Sequence, residues 1–200
     1  MISGTQGYSE QANELLLRYE TESFEHKHRA EMHLLPMHKV HALDVGAGSG
    51  ADAAWLAKQG HSVLAVEPTD EFRLAGQSLH PHPSIEWLND SLPFLSSVRA
   101  RKQRFGLIML TAVWMHLEPE QRPIGMSALE SLLEQSGVLI MSIRHGPVPE
   151  GRRMFEVDAS EVIAQAKGHG LQCLLNLRTE SSQAANRAAG ITWTRLAFTR

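Results

Sequence analysis

The chain of 200 residues holds a single cysteine, Cys173, so no intramolecular disulfide can form. Such cysteine usage suits a reducing compartment, and a cytoplasmic location is expected. No apolar stretch reaches the ~18–20 residues that a membrane-spanning helix needs. The opening MISGTQGYSEQANE has neither a basic start nor an apolar run, so a secretory leader is not expected there. Positive charge is not in excess either: 19 Lys and Arg face 22 Asp and Glu, for a formal charge of −3. A global field able to hold a nucleic-acid backbone is therefore missing, although Arg99, Arg101, Lys102 and Arg104 form a local basic run. Repeats and low-complexity tracts are absent. Tyrosine is scarce, with 2 residues, whereas histidine reaches 11, so metal binding must be weighed. His26 and His28, two apart, would point to different faces of a helix, and His80 and His82 alternate with prolines. With no Cys-x-x-Cys either, no metal site is expected.

What the chain does have is a composition, 42% hydrophobic and 20% charged, that supports one globular core. Residues 9–33 are polar but carry Leu15, Leu16, Tyr19 and Phe24, which predicts one or two amphipathic helices ended by Pro36. Residues 1–39 are thus read as an N-terminal helical segment, a lid or a cover. From residue 40 the texture changes. Strands are predicted over 40–45, 61–67, 85–88, 105–113 and 138–143. Helices are predicted over 51–59, 69–79 with Thr69 as N-cap, 119–135 and 158–167. Two late strands, 171–177 and 191–198, have no strongly patterned helix between them and read as a long hairpin. Alternating β and α at this spacing gives a parallel sheet with helices on both faces. Trp55 and Trp87 read as packing residues, and Cys173 as a buried, inert thiol.

The most informative stretch is Asp44-Val45-Gly46-Ala47-Gly48-Ser49-Gly50, three alternate glycines between a strand and a helix. Glycine allows close approach of a ligand to the backbone. Two cofactor classes compete for such a loop. Gly46, Gly48 and Ala51 satisfy the dinucleotide pattern G-x-G-x-x-G/A, and Glu67 lies about 20 residues on, where a ribose-binding carboxylate sits. Asp44 argues the other way, because a carboxylate before the loop repels a pyrophosphate and suits a cationic amine. A nicotinamide-dependent oxidoreductase therefore remains the less favoured alternative.

Taken with four later segments, this loop resembles the class I S-adenosylmethionine-dependent methyltransferases. Asp44-x-Gly46-x-Gly48-x-Gly50, followed by Glu67 at the end of the second strand, is similar to the family's first motif and its successor. Asp90-Ser91-Leu92-Pro93 is similar to its acidic segment, shortened by two residues. Phe105-Gly106-Leu107-Ile108 is similar to its fourth strand, with Gly106 where Asp is usual. Met115-His116-Leu117 and Gly137-Val138-Leu139-Ile140 match two further segments. The resemblance spans residues 40–200. It implies an α/β fold: a three-layer, doubly wound, Rossmann-like sheet of about seven strands, mostly parallel with an antiparallel final strand. It also implies S-adenosylmethionine as cofactor and S-adenosylhomocysteine as product. In that case Gly46, Ala47, Gly48 and Gly50 pass under the methionine and ribose, and Asp44 acts near the amino group. Glu67 accepts from the ribose hydroxyls. Asp90, with Ser91, binds the adenine end.

For the methyl acceptor a small molecule is expected, because little chain remains for a recognition domain. Methylation of RNA or protein, and an idle cofactor-binding module, are the alternatives. Methyl transfer asks mainly for alignment and exclusion of water. A base is needed where the nucleophile must lose a proton. His116 and His145 are the candidate bases. Tyr19, Trp114 and Arg144 are the candidate acceptor contacts, with Arg144 placed to clamp a carboxylate or phosphate. No oligomeric state follows from the sequence.

Overall fold

The apolar runs become neighbours in one sheet. In the computed structural model, which describes residues 4–200, the strands are β1 (His41–Val45), β2 (Ser62–Val66), β3 (Ile85–Leu88), β4 (Phe105–Thr111), β5 (Leu133–His145), β6 (Gln172–Glu180) and β7 (Thr192–Thr199). The first three residues of the expected N-terminal segment lie outside the described residues. The sheet order is β3-β2-β1-β4-β5-β7-β6. Only β7 runs against the others, antiparallel to both β5 and β6, so the mostly parallel sheet with an antiparallel final strand is observed. The chain winds outward from β1 to β3 and then returns to β4. The order reverses between β1 and β4, and doubly wound sheets open a binding crevice at that point.

Burial explains the strand sequences. Ala42, Leu43, Leu107, Ile108 and Met109 in β1 and β4 are fully buried, as expected where helices cover both faces. On one face Leu43, Ile108 and Phe198 pack with Leu129 of α6 (Arg122–Leu132) and Val162 of α7 (Ala159–Gly168). On the other, Leu107 and Met109 pack with Ala53 and Leu56 of α3 (Ala51–Lys58). The helix α4 (Asp70–Leu79) begins after Thr69, whose position is the predicted N-cap but whose side chain makes no capping bond.

Several expectations are corrected. The helix expected over 119–135 is two elements, a 3-10 turn Pro119–Gln121 with a capping box from Glu118, then α6 ending at Leu132. Leu133 already pairs with Phe105, and the register shifts before Leu107 meets Val138. The departure at Gly106 has a steric cause: a Cβ there would stand 2.8 Å from Val40 Cγ1. Two short helices, α5 (Ser96–Ala100) and α8 (Ala184–Ala188), were not expected, and α8 interrupts the β6–β7 hairpin. Cys173 is half-buried rather than buried.

The N-terminal residues form α1 (Ala12–Tyr19) and α2 (Phe24–Lys27), where the pattern predicts one or two amphipathic helices. In α1, Ala12 and Leu15 pack with Phe72 of α4. In α2, Phe24 stacks on Trp55 of α3, with ring centroids 3.9 Å apart and planes 4° apart. Phe24 is 4% exposed. Phe24→Ala is expected to cost about 3 kcal/mol, as a large aromatic truncation does. In a domain of this size that lowers Tm by roughly 6–12 °C in a thermal melt. An unchanged Tm would mean that α2 is not part of the cooperative unit.

Candidate active site

The glycine loop is shaped by β2. Gly46 and Ala47 donate their N–H groups to the Val66 carbonyl at 2.8 and 3.0 Å, which folds the loop back across the end of β1. Gly46 has φ +70, and a Cβ there would stand 2.5 Å from Val113 Cγ2, so only glycine fits. The loop forms one wall of a cavity of about 520 Å³ at the sheet's carboxyl edge. Tyr19 lies over the loop from α1, its ring stacked on Phe72 at 5.9 Å. Gly50 does not reach the cavity wall; it begins α3 and packs against Trp87.

Carboxylates gather on the loop side. Glu67 ends β2 and is buried. Its Oε2 accepts from Gly48 N–H at 2.9 Å and its Oε1 from Thr69 N–H at 2.8 Å. Burial raises its pKa against the effect of these donors. Each oxygen still has a lone pair for a hydroxyl of a ligand. Asp90 lines the cavity too, but its carboxylate closes its own loop. Oδ1 accepts from Ser91 N–H at 2.8 Å, and Oδ2 accepts from Ser97 and Val98 N–H at 2.8 and 3.0 Å. The shortened acidic segment thus uses Asp90 to hold the start of α5.

Asp44 is the most unusual group. It is 1% exposed, lines the cavity, and its Oδ2 has no hydrogen-bond partner among the described residues. Burial, then the nearby Asp52 charge, push its pKa well above the ordinary carboxylate range. Asp52 behaves oppositely. Lys27 Nζ lies 2.6 Å from its Oδ1, His28 Nε2 donates to Oδ2 at 2.9 Å, and Thr111 Oγ1 donates to the same oxygen at 2.9 Å. Burial works against its charge, but Lys27 and His28 outweigh it and hold the pKa far below normal. The other ring nitrogen of His28 donates to Glu31 Oε1 at 3.2 Å, and Arg195 donates to that oxygen at 3.1 Å. Lys27 and His28 act on Asp44 only through space, so a cation in direct contact with its Oδ2 is what this buried set lacks, and a cationic amine fits that gap.

The far side of the cavity is basic and aromatic. His116 Nδ1 donates to the Arg153 carbonyl at 2.9 Å, which leaves Nε2 as an acceptor for the Tyr8 hydroxyl, also at 2.9 Å. Burial first, then Arg152 and Arg144, lower the His116 pKa, so the ring is neutral at pH 7. Arg152 lies 3.7 Å from the centroid of the Tyr8 ring. Arg144 lines the cavity from the end of β5, and Tyr19 lines it from α1. Two other expectations are corrected. Trp114 is fully buried in the core and does not line the cavity. His145 also lies off the cavity wall, with Nε2 against Thr194 Oγ1 at 2.8 Å.

Tyr8, Arg152, Lys27 and Asp52 were not identified as site residues from the sequence. Tyr8 and Arg152 come from segments about 140 residues apart and meet only in the fold. Asp52 is adjacent to the glycine motif, but nothing local marks it as the partner of Lys27. Among the described residues no cluster of His, Cys, Asp and Glu is placed to hold a metal ion. Nor is any helix there long and apolar enough to cross a membrane.

Residues 42–137 match the family model of a methyltransferase domain. An uncharacterized methyltransferase of Alkaliphilus oremlandii is 30% identical over 100 residues, which cover 50% of this chain and 44% of that relative. The match thus spans less than half the relative's length. Among solved structures, the 1,6-didemethyltoxoflavin-N1-methyltransferase of Burkholderia thailandensis is similar with a TM-score of 0.71. It is 17% identical, over 96% of this chain and 86% of that one. A TehB-like S-adenosylmethionine-dependent methyltransferase of Corynebacterium glutamicum gives 0.66 at 18% identity, over 96% and 98%. At such identities the structural likeness speaks for the fold alone. Glycine loop, strand order and family match agree: residues 42–137 are similar to the methyltransferase-domain family, and the fold is that of the S-adenosylmethionine-dependent methyltransferase structures it resembles.

Proposed function

We propose that the chain transfers the methyl group of S-adenosylmethionine to a small-molecule acceptor held in the cavity. The observation that carries this reading is the buried, unpartnered Asp44 oxygen beside the glycine loop. An amino-acid ammonium is the cation that this position calls for. Glu67 offers its free lone pairs to the ribose hydroxyls, and Ser91 with the backbone around Asp90 borders the adenine end. A volume of about 520 Å³ is within the range of small-molecule sites. Tyr8 and Tyr19 roof it, so a compact acceptor is favoured over a macromolecular surface.

Bound S-adenosylmethionine supplies an electrophilic methyl group on a sulfonium. Asp44 and Glu67 would hold the cofactor, which would supply the methyl group while the C–S electron pair stayed on sulfur. The protein aligns the acceptor with that methyl group and keeps water out. Where the acceptor atom carries a proton, Tyr8 and His116 provide its exit. The proton passes to the Tyr8 oxygen while the Tyr8 hydroxyl proton passes to His116 Nε2, the free acceptor on the ring.

Calorimetric titration of the full chain with S-adenosylhomocysteine is expected to give saturable one-site binding. A folded protein without it overturns the proposal. Asp44→Asn is expected to weaken that binding by roughly 10–100-fold, the loss of a hydrogen bond to a charged group. The same change should stabilise the free protein. Because the Asp44 pKa is raised, the folded state holds more protons than the unfolded one between the ordinary carboxylate range and the raised value. Stability therefore falls as pH rises through that window, and asparagine removes the slope. Melting curves at pH 7 should show the variant above wild type. NMR titration of the His116 ring should give a midpoint below 6.5, with Nδ1 carrying the proton in the neutral form. A midpoint above 6.5 removes His116 as the base.

A further inference from the structure

Three arginines converge on the cavity from separate segments: Arg18 from the last turn of α1, Arg144 from the end of β5, and Arg152 from the loop beyond it. Among the described residues, none of the three has a carboxylate within ion-pair distance. Another inward-facing arginine is matched: Arg195, which also lines the cavity, reaches Glu31 at 3.1 Å. The Arg144 side chain has no hydrogen-bond partner among the described residues. Arg152 donates to the neutral Gln11 side chain at 2.7 Å, and its Nε is buried without a partner. Arg18 and Arg144 are close enough to oppose one another: burial, and then the Arg18 charge, depress the Arg144 pKa.

Apart from Asp44, which stands on the glycine-loop side with an unpartnered oxygen, the carboxylates that line the cavity are engaged elsewhere. Asp52 belongs to Lys27 and His28. Glu67 and Asp90 accept backbone N–H groups. Glu22 faces Gln183 across the opening. The cavity is therefore polar end to end, with anionic groups toward the glycine loop and guanidinium groups toward α1 and β5. The cofactor's own carboxylate can neutralise at most one of the three arginines.

Resting on the methyltransferase reading above, we infer that the methyl acceptor is an anionic small molecule whose carboxylate or phosphate group is held by Arg18, Arg144 and Arg152. Planar guanidinium forks match both anions and bind them with paired hydrogen bonds. The placement also serves the reaction. With the anion between the arginines, an adjacent O–H or N–H lies toward Tyr8 and His116. Burial, with Arg152 and Arg144 adding to it, lowers the His116 pKa.

The test uses the full chain saturated with S-adenosylhomocysteine, so that the cofactor's carboxylate is already in place. Benzoate, phenyl phosphate and the neutral benzamide are titrated by calorimetry at low and high salt. Benzoate or phenyl phosphate is expected to bind at least tenfold more tightly than benzamide, with the preference shrinking at high salt. The stronger of the two identifies the anion type. Arg144→Met and Arg18→Met should each weaken the anion by roughly tenfold while S-adenosylhomocysteine binding stays within about twofold, and Arg144→Lys should recover part of the loss. Equal binding of benzamide, no binding of either anion, or anion affinity unchanged in both methionine variants overturns the inference. If S-adenosylhomocysteine itself fails to bind, the methyltransferase reading falls instead, so the two failures are distinguishable.

Discussion

Two carboxylates, Asp44 and Asp52, are buried close together at the switch point of the sheet, and much of the site follows from how their charge is handled. Neither has access to bulk water. Asp52 is stabilised by Lys27, His28 and Thr111, which draw α2 and β4 onto α3. Removing one member of such a set leaves an uncompensated buried charge, which is among the costlier defects a fold can carry. Asp44 receives no comparable partner from the chain. The fold tolerates this because the carboxyl can hold a proton until a cation arrives.

The N-terminal residues are bound into this arrangement in two ways. Around Phe24 and His28 they are fixed by ring stacking and by the buried chain from Asp52 through His28 and Glu31 to Arg195. Around Tyr8, Arg18 and Tyr19 they roof the cavity, resting on Phe72 through aromatic contacts. One segment thus supplies counter-ions beneath the glycine loop and recognition groups above it.

Much of the glycine-loop side of the cavity was legible in the sequence. Alternate glycines between a strand and a helix need no tertiary information, because positive φ and close approach are local demands. Glu67 was legible for a related reason: the end of the next parallel strand lies beside the end of the first. Asp90 was harder. Its segment is shorter than the family's, and only the fold shows its oxygens taken up by the N–H groups of Ser91, Ser97 and Val98. His116 was legible as a residue but not in its chemistry, since its tautomer depends on the Arg153 carbonyl and its partner is Tyr8. Trp114 and His145 looked equivalent to Arg144 by position after a buried strand. Side-chain direction at a strand end depends on the turn that follows, and the turn sent Trp114 into the core.

By itself the sequence determined the alternation of strands and helices, the glycine turn and its following acid, because each rests on local periodicity or backbone sterics. The tertiary structure alone decided which charges meet. It put Lys27 and His28 on Asp52, left Asp44 without a partner, and gathered Arg18, Arg144 and Arg152 where no carboxylate answers them. The physical reason is that electrostatic interactions in a buried site depend on distance through space and on desolvation. Neither quantity is carried by separation along the chain.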